Sequence, residues 1–366
     1  MVPTTGARLR LRASSEKASV LADGAMKILF VSWAEYCSRS DNIARELGGS
    51  SHMVYWGWLG SNIVTVWLKY LGQMAATLAL LFRQRPHVVF IMAPPVFAVL
   101  AVYIYSILGR VPFVIDAHTA AFLNPRWAHL QWLQRFLCRR AATTIVTNEH
   151  LAQIVRSCGA NATIVRDVPV KFVTGEEFEI DGAFNIGVVC SFNDDEPVEE
   201  ILRAAADLED VHFYITGNPK YLSSSLRSAI PANVTLTGFI SNAAYGSLLT
   251  RVAAVVTLTT RNHTMLRGAY EAVYQGTPVI VSDWPLLREA FDEGAIQVDN
   301  SAEQLVVAIR KMQANLHRYR TEVSRLRERK YAEWGKIRQS ILTHVIKDPE
   351  RVKSALDALS RYEGRS

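Results

Sequence analysis

Short runs of aliphatic and β-branched residues recur along this chain, each followed by a stretch long enough for a helix, and the series occurs twice. Lys27-Ile-Leu-Phe-Val-Ser, Val88–Met92, Val111–Ile115 and Thr143–Thr147 form the first series, with helical stretches such as Asn42–Leu47 and Ile63–Phe82 between them. Phe184–Cys190, His212–Thr216, Val234–Leu236, Val252–Leu258 and Pro278–Val281 form the second, with a helix near Val198–Leu208. Strands alternating with helices of this length predict βαβ units and parallel, doubly wound sheets, hence an α/β fold. The pattern breaks at Pro169–Asp181, where Thr174-Gly-Glu-Glu-Phe-Glu-Ile-Asp181 reads as an interdomain linker. After Glu303 the chain is helical and basic, without strand signal. The expected organisation is a flexible basic leader (1–25), two Rossmann-like domains (26–175 and 176–330) and a C-terminal helical extension (331–366).

Composition agrees with two buried sheets. Of 366 residues, 49% are hydrophobic, too many for a disordered chain. Four cysteines (Cys37, Cys138, Cys158, Cys190) form no CxxC pair, so a disulfide scaffold or structural zinc is not expected and a reducing cytosol fits. The leader carries Arg8, Arg10, Arg12 and Lys17 but no apolar core, unlike a secretory signal. His87–Gly109 is uncharged and long enough to suggest a membrane span. Pro94-Pro95 interrupts it, which predicts a strand (Val88–Met92), a turn and a helix (Val96–Leu108) instead. The net charge of +6 suits phosphates or an anionic membrane; the scattered basic residues form no nucleic-acid motif.

Ligands of doubly wound sheets sit beyond the C-terminal ends of the strands, here in a cleft between two facing domains. The richest such segment is Thr259-Thr-Arg-Asn-His-Thr-Met-Leu-Arg-Gly-Ala-Tyr-Glu-Ala-Val-Tyr-Gln-Gly-Thr-Pro-Val-Ile-Val-Ser-Asp283. It predicts a helix opening at Gly268 and ending at Gly276. A phosphate can approach free N–H groups at such a helix start, where the dipole favours negative charge. Arg261 and Arg267 flank that point as candidate partners of a diphosphate, and Glu271 is placed to accept ribose hydroxyls.

Gly268-Ala-Tyr-Glu-Ala-Val-Tyr-Gln-Gly-Thr-Pro-Val-Ile, with Asp283 following, resembles nucleotide-sugar glycosyltransferases of the GT-B fold, in particular family 4. Thr237-Gly-Phe-Ile-Ser, Asp116-Ala-His-Thr and Val146-Thr-Asn-Glu-His support the resemblance, which covers roughly Lys27 to Arg310. It implies two Rossmann-like domains facing across a cleft, the acceptor in the first and the nucleotide sugar in the second. Glu271 would grip the ribose, and no metal or other cofactor is implied beyond the donor itself. Gly238 and Ser191 join Gly268, Glu271, Arg261, Arg267 and His263 as expected donor-binding residues.

Three departures bear on mechanism. The family's first Glu, eight residues before the second, is His263 here, which puts a simple retaining mechanism in doubt. The family's phosphate-binding Arg and Lys after the first C-domain strand are Ser191 and Glu196. That acidic Ser-Phe-x-x-Asp-Glu stretch is locally similar to dolichyl-chitobiose β-mannosyltransferases, an inverting group. The Gly-rich loop after the first strand is Ala34-Glu-Tyr-Cys-Ser-Arg-Ser-Asp-Asn, with small polar Ser38 and Ser40 as replacements.

An inverting transferase needs a base for the acceptor hydroxyl. His118 is favoured through the resemblance; Asp41, Asp116 and Glu35 are alternatives, although Asp116 and His118 are also plausible helix caps. Tyr55-Trp-Gly-Trp-Leu, with Trp67 and Tyr70, is either core packing or an interfacial surface. Nearby Lys69, Arg83 and Arg85, with Arg135, Arg139 and Arg140, suit anionic lipid headgroups. The expected activity is transfer of a hexose from a nucleoside-diphosphate sugar to a hydroxyl acceptor. A lipid-linked saccharide of surface, exopolysaccharide or glycan assembly, met at the inner face of the cell membrane, is the expected acceptor. The rival readings are a catalytically inert partner subunit and a dinucleotide-dependent oxidoreductase, the latter lacking its G-x-G-x-x-G at Cys37-Ser-Arg-Ser.

Overall fold

The computed structural model describes residues 12–13, 26–57, 63–172, 175–181, 184–262 and 264–363. The chain forms two compact units, Met1–Val168 with Trp334–Ser366, and Pro169–Glu333. Apart from Arg12–Ala13, the expected flexible leader lies outside the described residues.

The first unit is built on strands β1 (Arg12–Ala13), β2 (Ile28–Ser32), β3 (Ser50–Met53), β4 (Val88–Ala93), β5 (Phe113–Ala117), β6 (Thr143–Val146) and β7 (Ala162–Ile164). Their order is β1-β3-β2-β4-β5-β6-β7, with β2 to β7 parallel and β1 antiparallel against β3. The helices are α1 (Ser38–Glu46), α2 (Ile63–Gln84), α3 (Val96–Gly109), α4 (Ala120–Leu123), α5 (Gln131–Arg140) and α6 (Glu149–Ser157). Residues of β2 point to both faces of the sheet and all five are buried, which is why the strand reads as a continuous apolar run rather than an alternation. Phe30 stacks on Phe90 of β4 at 5.7 Å between ring centroids, and burial of each such ring stabilises the fold by about 1.5–3 kcal/mol.

The uncharged run His87–Gly109 divides as expected. Val88–Ala93 is a central strand, and the helix starts after Pro95 and stops where Arg110 turns left-handed at φ 53°. The edge-proximal β3 (Ser-Ser-His-Met) and β7 were not anticipated, because neither has an apolar run.

The second unit contains β8 (Asn185–Val188), β9 (His212–Thr216), β10 (Val234–Gly238), β11 (Ala254–Thr257), β12 (Val279–Ser282) and β13 (Ala295–Val298). All six are parallel in the order β10-β9-β8-β11-β12-β13, so the winding reverses between β8 and β11. Its helices are α7 (Val198–Ala206), α8 (Ser224–Ser228), α9 (Asn242–Arg251), α10 (Arg267–Gln275), α11 (Pro285–Ala290) and α12 (Ala302–Ala314). α13 (Leu316–Val345) and α14 (Pro349–Glu363) complete the chain.

Two expectations about boundaries are corrected. The polar stretch before Asp181 is not a free linker: Phe172 and Phe178 join the core of the second unit, the Phe178 N–H donates to Ser247 Oγ at 2.9 Å, and the Asp181 N–H donates to Tyr214 Oη at 2.6 Å. Its apolar residues anchor it although its composition is acidic. The C-terminal extension is likewise not separate. Tyr319, Val323 and Leu326 of α13 pack in the second unit, whereas Trp334, Ile341 and Leu342 join Ile28, Phe30 and Phe90 in the first.

Candidate functional site

The reversal of winding between β8 and β11 opens a crevice at the C-terminal ends of the second sheet, the usual ligand position in such sheets. A cavity of about 650 Å³ fills it, lined by the loop after β8 (Ser191–Asp195), Asn218, Tyr221 and Phe239 from the next two strands, and Arg261 after β11. Asp195 laces two of these loops together. Its Oδ2 accepts from Thr259 Oγ1 at 2.8 Å, its carbonyl accepts from the Thr260 N–H at 2.7 Å, and Oδ1 faces Arg261 Nη1 at 3.5 Å. Phe192 sits at φ 60°, and the carboxylate of Glu196 accepts from the N–H groups of Ser191 (2.9 Å) and Asn193 (2.8 Å). The loop is therefore folded around a carboxylate, where the resembled family has cationic side chains.

α10 begins on the far side of the β11 loop. Leu266 is its N-cap and makes no side-chain capping bond, and no acidic residue lies in its first turn, so the positive end of the helix dipole is not met by a carboxylate of that turn. The glycine at 268 is required by packing: a Cβ there would stand 2.6 Å from Val189 Cγ1, so the small residue lets the helix close onto the end of β8. One turn on, Glu271 is held between two donors. Arg267 Nε reaches Oε1 at 2.7 Å and Tyr245 Oη donates to Oε2 at 2.8 Å. Burial, with the adjacent Glu271 charge, pushes the Tyr245 hydroxyl well above its usual pKa, so it remains a donor.

These contacts alter the picture drawn from sequence. Arg261 and Arg267, expected to neutralise a diphosphate, are both paired with carboxylates, Asp195 and Glu271. Arg267 nonetheless opens α10 with Glu271 one turn on, and Gly238 ends β10 at φ 65°. Ser191 contributes its backbone N–H. His263 lies outside the described residues.

The first unit carries a second cluster at the ends of β5 and α1. Asp116, 1% exposed, is the last-but-one residue of β5 and receives Arg39 Nε at 3.2 and 3.1 Å on its two oxygens. Arg39 also donates to the Val165 carbonyl at 3.0 Å. His118 Nε2 lies 3.7 Å from Asp116 Oδ2, an electrostatic contact longer than a hydrogen bond, and the His118 side chain is 40% exposed. Burial raises the Asp116 pKa, but the Arg39 guanidinium and then His118 outweigh it and hold the carboxyl at about 2.

Asp116 is thus a poor proton acceptor, buried, ionised and already shared. His118 lies beside it, with the side chain 40% exposed but Nε2 buried and, among the described residues, without a hydrogen-bond partner. Asp41 accepts from Ser51 Oγ and faces β3 from α1, and Ser40 Oγ is bonded to Ser32 Oγ at 2.6 Å rather than presented to a ligand. Sequence reasoning missed Arg39: 77 residues from Asp116, no local spacing marks it as a partner. Among the described residues, no group of three or more His, Cys, Asp or Glu side chains is gathered to hold a metal ion.

Comparison with known proteins decides the family. A profile described as "Glycosyl transferase 4-like domain" matches residues 29–170, and one described as "Glycosyl transferases group 1" matches 183–315. The chain belongs to the group 1/GT4-like GT-B glycosyltransferases. It is a glycosyltransferase that takes its sugar from a nucleotide-sugar donor. Solved structures share the fold at low identity. Sucrose-phosphate synthase from Thermosynechococcus elongatus is 13% identical with a TM-score of 0.61, covering 87% of this chain and 97% of its own. Anabaena HepE in complex with UDP and glucose is 14% identical with a TM-score of 0.60, covering 87% and 98%. The glycotransferase of kitacinnamycin is 16% identical with a TM-score of 0.55, covering 88% and 99%. No curated protein sequence matches the chain.

Proposed function

We propose that this glycosyltransferase moves a hexose from a uridine-diphosphate sugar to a hydroxyl of a lipid-linked saccharide, at the cytoplasmic face of a membrane, in surface-polysaccharide or glycan assembly. The observation that carries the donor assignment is Glu271, fixed by Tyr245 and Arg267 one turn inside the uncapped start of α10. A carboxylate so held can accept both ribose hydroxyls, and the helix start beside it attracts the diphosphate. Arg267 exchanges its bond to Glu271 for the phosphates as the ribose takes over the carboxylate. HepE, a fold relative captured with UDP and glucose, supports uridine as the base to try first.

In the first unit His118 serves as the base that takes the acceptor proton. Asp116 beside it stabilises the imidazolium that forms, and Arg39 keeps Asp116 ionised. Thermal denaturation with UDP, GDP and ADP tests the reading. UDP at a hundredfold excess over its dissociation constant should stabilise by about 2.7 kcal/mol. Glu271→Ala should lose that shift. Absence of a shift with all three nucleotides refutes the donor site, and anomeric analysis of the product of a UDP-sugar panel decides between inversion and retention.

A further inference from the structure

We propose that α2, with the end of α3, is a membrane-docking surface that lies in the plane of an anionic bilayer. The helix is apolar on its outward side as well as its inward one, which is unusual for a water-exposed element. Its outward stripe carries Trp67, Leu68, Leu71 and Phe82, which are 55%, 59%, 62% and 49% exposed, with exposed Ala75 and Ala79 between them. Its inward side carries Leu80 and Leu81 in the core together with two buried polar residues. Gln73 is buried and donates to the Val54 carbonyl at 2.7 Å, and Thr77 is buried and accepts from Trp33 Nε1 at 2.9 Å. A surface helix in water turns polar and charged residues outward, and an exposed apolar strip of this length marks a contact surface.

The geometry favours lying on a bilayer over crossing it. Thr65–Gln84 is long and apolar enough to span, yet its inward face is committed to the domain. Trp67 packs edge-on against Phe97 of α3 at 5.6 Å, and Phe82 against Tyr105 at 5.2 Å. Ile107 and Leu108, both more than half exposed, continue the apolar surface two residues beyond Tyr105. Of the aromatic residues singled out in the sequence, Trp67 lies on this face, whereas the Trp56 ring packs on Gly72 and Tyr70 stacks on Trp33 at 6.0 Å; Trp58 lies outside the described residues.

Charge selects the occupant. Residues 63–148 contain eight Lys and Arg but a single acidic residue, Asp116, which is buried against Arg39. Arg83 on α2, Arg85 just after it and Arg110 just after α3 are all exposed. Such residues lay their stems on apolar surface and their charges among lipid phosphates, each contributing on the order of 1 kcal/mol near an anionic membrane. Two copies of this face would bring like charges together, which disfavours a homodimer through it.

The link to a lipid-linked acceptor rests on the function proposed above; the docking surface itself stands on the helix. Co-sedimentation of the full chain with phosphatidylcholine vesicles, with and without phosphatidylglycerol, tests it. The chain should pellet with the anionic vesicles and lose this in high salt. Leu68→Ser/Leu71→Ser, both far from Glu271 and His118 in sequence and outside the site, should weaken partitioning roughly tenfold or more. Its circular dichroism and UDP-induced shift should match the parent. Arg83→Gln/Arg110→Gln should weaken binding to the anionic vesicles alone. No pelleting, or pelleting indifferent to the leucines, overturns the proposal, as does a concentration-dependent dimer that the leucine variant abolishes. A chain that binds vesicles but no nucleotide sinks the donor reading and leaves this one standing, and the converse result does the reverse.

Discussion

Replacing Arg39 by Met should reverse the sign of the acid dependence of stability. In the parent, Asp116 has a pKa of about 2 in the folded chain against a usual value of 3.8. A folded-state pKa below the unfolded one means that the unfolded chain binds more protons between the two values. The stabilisation is therefore present above pH 4 and is lost as pH falls towards 2. Its size follows from the shift, about 2 kcal/mol for a carboxyl 1% exposed and so little screened by solvent. Without the guanidinium, burial is the dominant influence left on Asp116, and its pKa moves above the usual value. The variant then carries a buried, uncompensated charge at neutral pH and should lose about 3–5 kcal/mol there. As pH falls it should regain part of that loss, because the folded state now takes up the proton first. Urea denaturation midpoints between pH 7 and pH 4 measure this directly. Arg39→Met/Asp116→Asn, which removes both charges, should recover most of the loss at pH 7. A single variant as stable as the parent, or with the parent's flat profile over that range, would refute the account of the pair as a buried, mutually dependent unit.

Three further outcomes are expected. His118→Gln should lower kcat by roughly a hundredfold or more while leaving the KM for the donor nearly unchanged, since it acts on the acceptor proton; steady-state kinetics separate the two. Gly268→Ala should destabilise the second unit by about 1–3 kcal/mol, because its Cβ meets Val189 at 2.6 Å, and Val189→Ala in the same chain should restore the lost melting temperature. Under native conditions a thiol alkylating reagent should label Cys37 and Cys158, which are partly exposed, and spare Cys138 and Cys190. Burial pushes the last two thiols up to about 11 and about 12, so mass spectrometry should find two adducts until the chain is unfolded.

Much of the fold was legible because the parallel strands are buried on both faces and so appear as unbroken apolar runs. Ile28–Ser32, Val88–Ala93 and His212–Thr216 could be read directly. Two strands nearer the sheet margins could not: Ser50–Met53 and Ala295–Val298 are only half buried, and their mixed composition is what such positions tolerate. The donor site was partly legible for a similar reason, since Gly268, Glu271 and Gly276 lie on one short helix and its cap, and local spacing sets their mutual geometry.

By itself the sequence determined the two doubly wound units, the division of the uncharged run at Pro94-Pro95, and the helix that presents Glu271. These depend on local backbone chemistry and on periodicity, which neighbouring residues carry. Only the tertiary structure decided that Arg39 serves Asp116, that Glu196 closes the loop after β8, and that α2 turns Trp67, Leu68 and Leu71 outward while Gln73 and Thr77 face in. Those are pairings between residues distant in the chain, set by how helices settle on sheets. Composition counts the charged and apolar groups; packing chooses which of them meet.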